Sequence, residues 1–205
     1  MLYVSIDLET SGLNHETHQV LSIGAIIEDT EKKLPYSEIP KFHAAITRGE
    51  SDIVGSLFAL NMNKQLLENI LKFQQCKTIE EQKLHEELTE LKYFPEKDVV
   101  REFVSFLTEN GIIYEGKETV IYLTCAGKNF GTFDKPYCEK LPNWKRFLKI
   151  RQRILDPTHY YMDWKNDENP PSLSVCKKRA NLEENVSHVA IEDAWDVIML
   201  LRSQY

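Results

Sequence analysis

With 205 residues the chain has the length of one domain, and its 42% apolar content is enough to bury a core without cross-links. The four cysteines (Cys76, Cys125, Cys138 and Cys176) form no C-x-x-C pair, which argues against a disulfide framework or a zinc ribbon and for a reducing, cytoplasmic setting. A net charge of −7 excludes a general basic coat for nucleic acid, but not an enzyme that gathers carboxylates in one site.

Residues 2–9, LYVSIDLE, alternate with the two-residue period of a strand, placing Leu2, Val4, Ile6 and Leu8 on one face before Ser11-Gly12 ends it. Residues 20–29, VLSIGAIIED, are β-branched and almost wholly apolar, as in a strand covered on both sides. A third strand is predicted at 41–47. Residues 48–96 are polar and rich in Glu, Lys and Gln, with helical propensity from Asn63 to Lys92, and read as a helical insertion decorating the sheet, its exit marked by Tyr93-Phe94-Pro95. Helical spacing of Val99, Val100, Phe103, Phe106 and Leu107 predicts a helix over 97–110 with Gly111 as its stop.

A strand is expected at 119–124. A basic stretch runs from Lys128 to Arg153, and its NWKRFLKIR segment reads equally as an amphipathic helix with a wet basic face or as a track for phosphates with Trp144 and Phe147. An amphipathic helix over 187–202 closes the chain, with Ser187 as N-cap and Ala190, Ala194, Val197, Ile198 and Leu201 as its buried stripe. Strands followed by helix–strand–helix imply one α/β domain spanning 1–205, a mixed sheet flanked by helices. The opening segment has no leader-like basic and apolar regions, and no apolar run approaches the roughly 20 residues that cross a bilayer, so no membrane partner is expected.

Chemistry is carried by a few acids. Asp7 and Glu9, at i and i+2 on a strand, leave the same face with attachment points roughly 7 Å apart, a spacing that suits divalent ions as well as a solvated strand end. Asp193 lies on or beside the stripe of the last helix, where an unpaired carboxylate needs a cation or donors, a metal or an Arg. Asp134 stands in or just before the first turn of a helix, four residues after Phe130. His188 directly precedes the last helix, and an imidazole there can take a proton from water.

Together these residues resemble the DEDDh branch of the DnaQ-like exonucleases. DLETSGL resembles the first motif at Asp7, Glu9 and Gly12, NFGTFDKPYC the second with Asp134 as its acid, and HVAIEDA the third at His188, Ala190, Asp193 and Ala194. The sister branch has a tyrosine where this chain has Val189, which favours the histidine version. The resemblance implies a ribonuclease H-like fold with a mixed five-stranded sheet. It implies two Mg²⁺ or Mn²⁺ ions held by Asp7, Glu9, Asp134 and Asp193, and His188 as general base. The implied reaction is 3′→5′ release of nucleoside monophosphates from single-stranded DNA or short RNA with a free 3′ end.

Thr10 and Ser11 are the implied contacts to the terminal nucleotide, and Phe130 and Phe133 are candidates for an aromatic wall against its base, with core packing as the alternative role for at least one of them. A catalytically silent nucleic-acid- or protein-binding module of the same fold is the alternative. Oligomeric state is left open, a homodimer being compatible.

Overall fold

The computed structural model describes residues 1–49, 51–114 and 119–205; Glu50, inside the segment read as an insertion, lies outside them. The elements follow in chain order as β1 (Leu2–Thr10), β2 (Val20–Asp29), β3 (Lys41–Thr47), α1 (Leu57–Met62), α2 (Lys64–Gln75), α3 (Ile79–Thr89), β4 (Lys92–Pro95) and α4 (Glu96–Glu109). Then come β5 (Ile121–Leu123), β6 (Cys125–Ala126), α5 (Asp134–Cys138), α6 (Trp144–Phe147), β7 (Leu148–Ile150), α7 (Leu173–Arg179) and α8 (Ala190–Arg202). Among the described residues the main sheet has five strands in the order β4-β3-β2-β1-β6, and β5 and β7 form a separate parallel pair.

β1, β2 and β3 pair antiparallel, whereas β4 joins β3 and β6 joins β1 in parallel. Consequently β1, β3 and β4 all end at the same edge of the sheet. Period-two alternation then sorts β1. Val4, Ile6 and Leu8 enter the core beneath α4, with Val99, Val100, Phe103 and Leu107. Tyr3 faces the other way, into the cluster formed by Ile191, Ala194, Val197 and Ile198 of α8. Leu2, at the end of β1, is exposed instead of buried.

α4 closes as its sequence predicts. Gly111 adopts φ +86°, and the Gly111 and Ile112 N–H groups donate to the Thr108 and Leu107 carbonyls, a left-handed stop that suits glycine. Two predicted features are corrected. Lys92–Pro95 is not the exit of a helical decoration but an edge strand of the sheet, because Leu91 and Tyr93 bury against Ile70 of α2; Pro95 is tolerated at its end. NWKRFLKIR is not one amphipathic helix but a four-residue helix running into β7, with Trp144 fully buried and stacked on Phe103 at 5.8 Å. No helix among the described residues is long and apolar enough to cross a membrane.

Candidate active site

The same alternation that buries Val4, Ile6 and Leu8 turns Asp7 and Glu9 toward α8. Directly opposite Asp7 on β2 stands Gly24. A Cβ there would lie 2.2 Å from the Ala190 carbonyl carbon and 2.3 Å from the Ile191 nitrogen, so the missing side chain lets the first turn of α8 press against the sheet. The Ser5 hydroxyl donates to the Ala194 carbonyl at 2.7 Å and holds the next turn. Asp193 is thereby carried down to β1, and one carboxylate oxygen from each of Asp7, Glu9 and Asp193 lies within 4.8 Å of the others.

Asp134 and His188 are not part of that converging trio. Asp134 begins α5, so Pro136 falls in the first turn, where its missing N–H costs little. Its Oδ1 accepts from the Leu8 N–H at 3.2 Å, which sets it beside β1 between the two strand acids. His188 is exposed, in a left-handed conformation (φ 54°) two residues before α8. The N-cap assigned to Ser187 is corrected: α8 starts at Ala190, and the Ser187 hydroxyl instead accepts from the Val189 N–H at 3.2 Å within the loop.

The site is electrostatically strained. Burial raises Asp7 well above the ordinary carboxylate range, and Asp134, Asp193 and Glu9 add to it. Burial, then Asp193, pushes Glu9 up to about 8, opposed by a hydrogen bond from Asn63. Burial and Asp196 push Asp193 up to about 7, opposed by Lys177. Asp134 moves the same way, chiefly through burial, with the Leu8 N–H opposing.

Hard oxygen donors crowded in this way fit divalent cations. A further sign is Asp193 Oδ1, which is buried and has no partner among the described residues. Without a cation, protons are held more tightly in the folded state than in the unfolded chain. The stabilisation that these protons give the metal-free fold is therefore fully present below about pH 4 and is lost as pH rises toward about 7–8. Thermal melts of chelator-treated protein are expected to give a lower Tm at pH 8 than at pH 5, with Mg²⁺ recovering the loss. A Tm indifferent to both pH and Mg²⁺ would count against the crowding.

Phe130 is fully buried in the core under β1, the packing role that the sequence left open for at least one of the two phenylalanines. Ser11 is also fully buried; its hydroxyl donates to the Val54 carbonyl at 2.5 Å and accepts from the Gln19 N–H, fastening the 52–54 segment to β1. Thr10 is buried, with its hydroxyl on the Gly12 carbonyl. Phe133 is partly buried and packs on Tyr137 at 5.4 Å between ring centres.

The fold adds residues that no motif marked. Asn63, at the junction of α1 and α2, is buried and lies against Glu9 and the Thr10 carbonyl. Lys177 of α7 is buried, reaches Asp196 at 2.6 Å and also bonds the Asn185 carbonyl, tying the segment that leads to His188 onto α8. Leu13, Leu57 and Phe58 are strongly exposed, and the Ser56 N–H bonds the Ser11 carbonyl at 2.8 Å, so α1 starts beside the first motif. Exposed leucine and phenylalanine were the available signal, but a sequence does not say which apolar residues stay out of the core.

No protein-family model matches the chain, and no curated protein matches it. Solved structures do. The nuclease domain of 3′hExo, a DEDDh family member solved bound to rAMP, superposes with a TM-score of 0.60 at 11% identity, covering 99% of this chain and 90% of that one. E. coli exonuclease I, solved with a dT13 oligonucleotide, gives 0.59 at 15% identity over 98% of this chain. The match spans 40% of the length of exonuclease I. A 3′-exonuclease solved for 3′-end recognition of a histone mRNA stem-loop gives 0.57 at 11% identity, over 99% of this chain and 80% of that one. The chain therefore has the ribonuclease H-like α/β fold of the DEDDh 3′-exonucleases, with a mixed five-stranded sheet. Within that fold it carries an acidic site, formed by Asp7, Glu9 and Asp193, that can hold a metal ion.

Proposed function

We propose that the chain is a metal-dependent 3′→5′ exonuclease that releases nucleoside monophosphates from single-stranded DNA or short RNA. The observation that carries this reading is the convergence of Asp7, Glu9 and Asp193 within 4.8 Å of one another at a largely buried site, with one Asp193 oxygen left unpartnered. Asp134, beside Asp7, is the fourth acid of the set, and two Mg²⁺ or Mn²⁺ ions are the cations these oxygens suit. Such ions, when bound, lower the pKa of water and offset the charge of a phosphodiester.

The chain's own groups do the rest. Asp7, Glu9, Asp134 and Asp193 fix the position of the reacting phosphate by confining the positive charge to one pocket. His188, exposed two residues before α8, takes the proton of the attacking water on a ring nitrogen. Asn63 holds the Glu9 carboxylate, and Lys177 holds the segment that leads to His188. Leu13, Leu57 and Phe58 offer apolar surface beside the first motif against which a terminal base can stack, and Phe133 stays a candidate for the same role.

The experiment is a time course on 5′-labelled single-stranded DNA and RNA oligomers with Mg²⁺, Mn²⁺ or EDTA. A ladder that shortens from the 3′ end only with metal is expected, and the faster polymer names the substrate. His188→Ala is expected to lower kcat by about 10²–10⁴-fold with little change in KM. No shortening of either polymer by folded, metal-supplied protein would replace the enzyme with a silent binding module. Equal rates in the His188 variant would remove the base but keep the acids.

A further inference from the structure

Arg48 stands just beyond the end of β3, and its side chain is only 5% exposed. A guanidinium is costly to bury unless its donors are matched. One nitrogen is matched, since Nη2 donates to Glu96 Oε1 at 2.7 Å at the start of α4. Nε and Nη1 have no acceptor among the described residues. A buried donor left in that state is destabilising, so an arrangement that only tied β3 to α4 would be a poor use of the residue.

Arg48 lines a cleft of about 790 Å³ together with Ser51, Gln74, Gln82 and Lys97. Glu96 is the one carboxylate among the described lining residues, and it is already engaged by Arg48. The Gln74 amide donates to the Gly49 carbonyl at 2.8 Å and fixes the turn that follows Arg48. Among the described lining residues the charges are Arg48 and Lys97 against Glu96, and Arg48 keeps two buried nitrogens at the cleft wall without an acceptor, in a protein whose net charge is −7.

Its place in the fold relates it to the acids. β1, β3 and β4 are parallel to one another, so Glu9, Arg48 and Glu96 all emerge at one edge of the sheet. Two strand spacings, about 10 Å, separate β1 from β3. Gln19 bridges the interval: its N–H bonds the Ser11 hydroxyl, and its side chain takes the Val54 N–H and lines the same cleft.

We propose that the Arg48 cleft is a phosphate subsite holding an upstream phosphodiester of the strand whose 3′ end lies at the carboxylates. The idea rests on the exonuclease reading and names a part of its substrate contact. Phosphate oxygens are the acceptors that a guanidinium fork fits best, and Lys97 at the exposed rim adds a second charge. A free mononucleotide offers the same oxygens.

The test is the anisotropy of labelled dTMP, a dinucleotide and longer oligothymidylates across a salt series, in EDTA so that no strand shortens. For Arg48→Met and Lys97→Glu, the longer strands are expected to bind about tenfold more weakly with a salt slope lowered by about one, while dTMP binding is unchanged. If Arg48→Met fails to fold, Lys97→Glu carries the test from an exposed position. Weakening of dTMP alone overturns the subsite in favour of a free-nucleotide site, and unchanged affinity and slope for all ligands overturn it outright. Shortening by the wild type is scored separately with Mg²⁺. Strand binding that responds to both variants without shortening keeps the subsite and removes the exonuclease, whereas shortening with unresponsive binding does the reverse.

Discussion

Asp193→Asn is expected to lower metal-dependent mononucleotide release by on the order of 10³-fold while raising the melting temperature of the metal-free protein. Both effects have one cause. Asp193 brings a charge into a pocket that already holds Asp7 and Glu9 within 4.8 Å, and burial pushes its carboxyl up to about 7. Amide substitution keeps the shape, removes a negative charge and relieves Glu9, whose upward shift owes most to burial and next to Asp193. The apo fold gains what the cation site loses. Melts at pH 8 with EDTA and with Mg²⁺, beside a single-turnover assay, measure the two together. A variant that cleaves normally would disconnect Asp193 from the chemistry, and one that melts lower in EDTA would mean that the carboxylate is held by a partner.

Gly24→Ala is expected to damage the site from a distance, because the added methyl meets backbone. Its Cβ would stand 2.4 Å from the Ala190 carbonyl oxygen and closer still to the neighbouring carbon and nitrogen, none of which can swing aside like a side chain. Relief requires α8 to lift from β2, against the packing of Ile191, Ala194, Val197 and Ile198 on Tyr3 and Ile26. Overpacking of this kind costs about 1–3 kcal/mol, or roughly 2–12 °C for a domain of this size. Lifting the first turn of α8 also withdraws Asp193 and disturbs the loop of His188, so kcat should fall by more than the stability loss explains. Thermal melts and kinetics at a temperature where the variant is fully folded separate the two effects. Wild-type melting would show that the helix does not rest on this strand as tightly as described.

The strands of the opening meander, the face of β1 that carries Asp7 and Glu9, the stop of α4 at Gly111 and the stripe of α8 were legible in the sequence, because each follows from local periodicity or a single residue's backbone preference. The sequence also marked the acids, since a carboxylate on a buried stripe stands out without coordinates. Where these acids meet and what surrounds them depends instead on contacts between segments far apart in the chain. Lys92–Pro95 became a strand through an edge of β3 far away in sequence, and Phe130 and Trp144 went into the core because a sheet face was there to receive them. Ser11 was consumed by the 52–54 segment. Gly24, Asn63, Lys177 and Arg48 carry no pattern at all. Their significance lies in what stands opposite them across the fold, and such proximity between distant residues is set by packing, which no local spacing encodes.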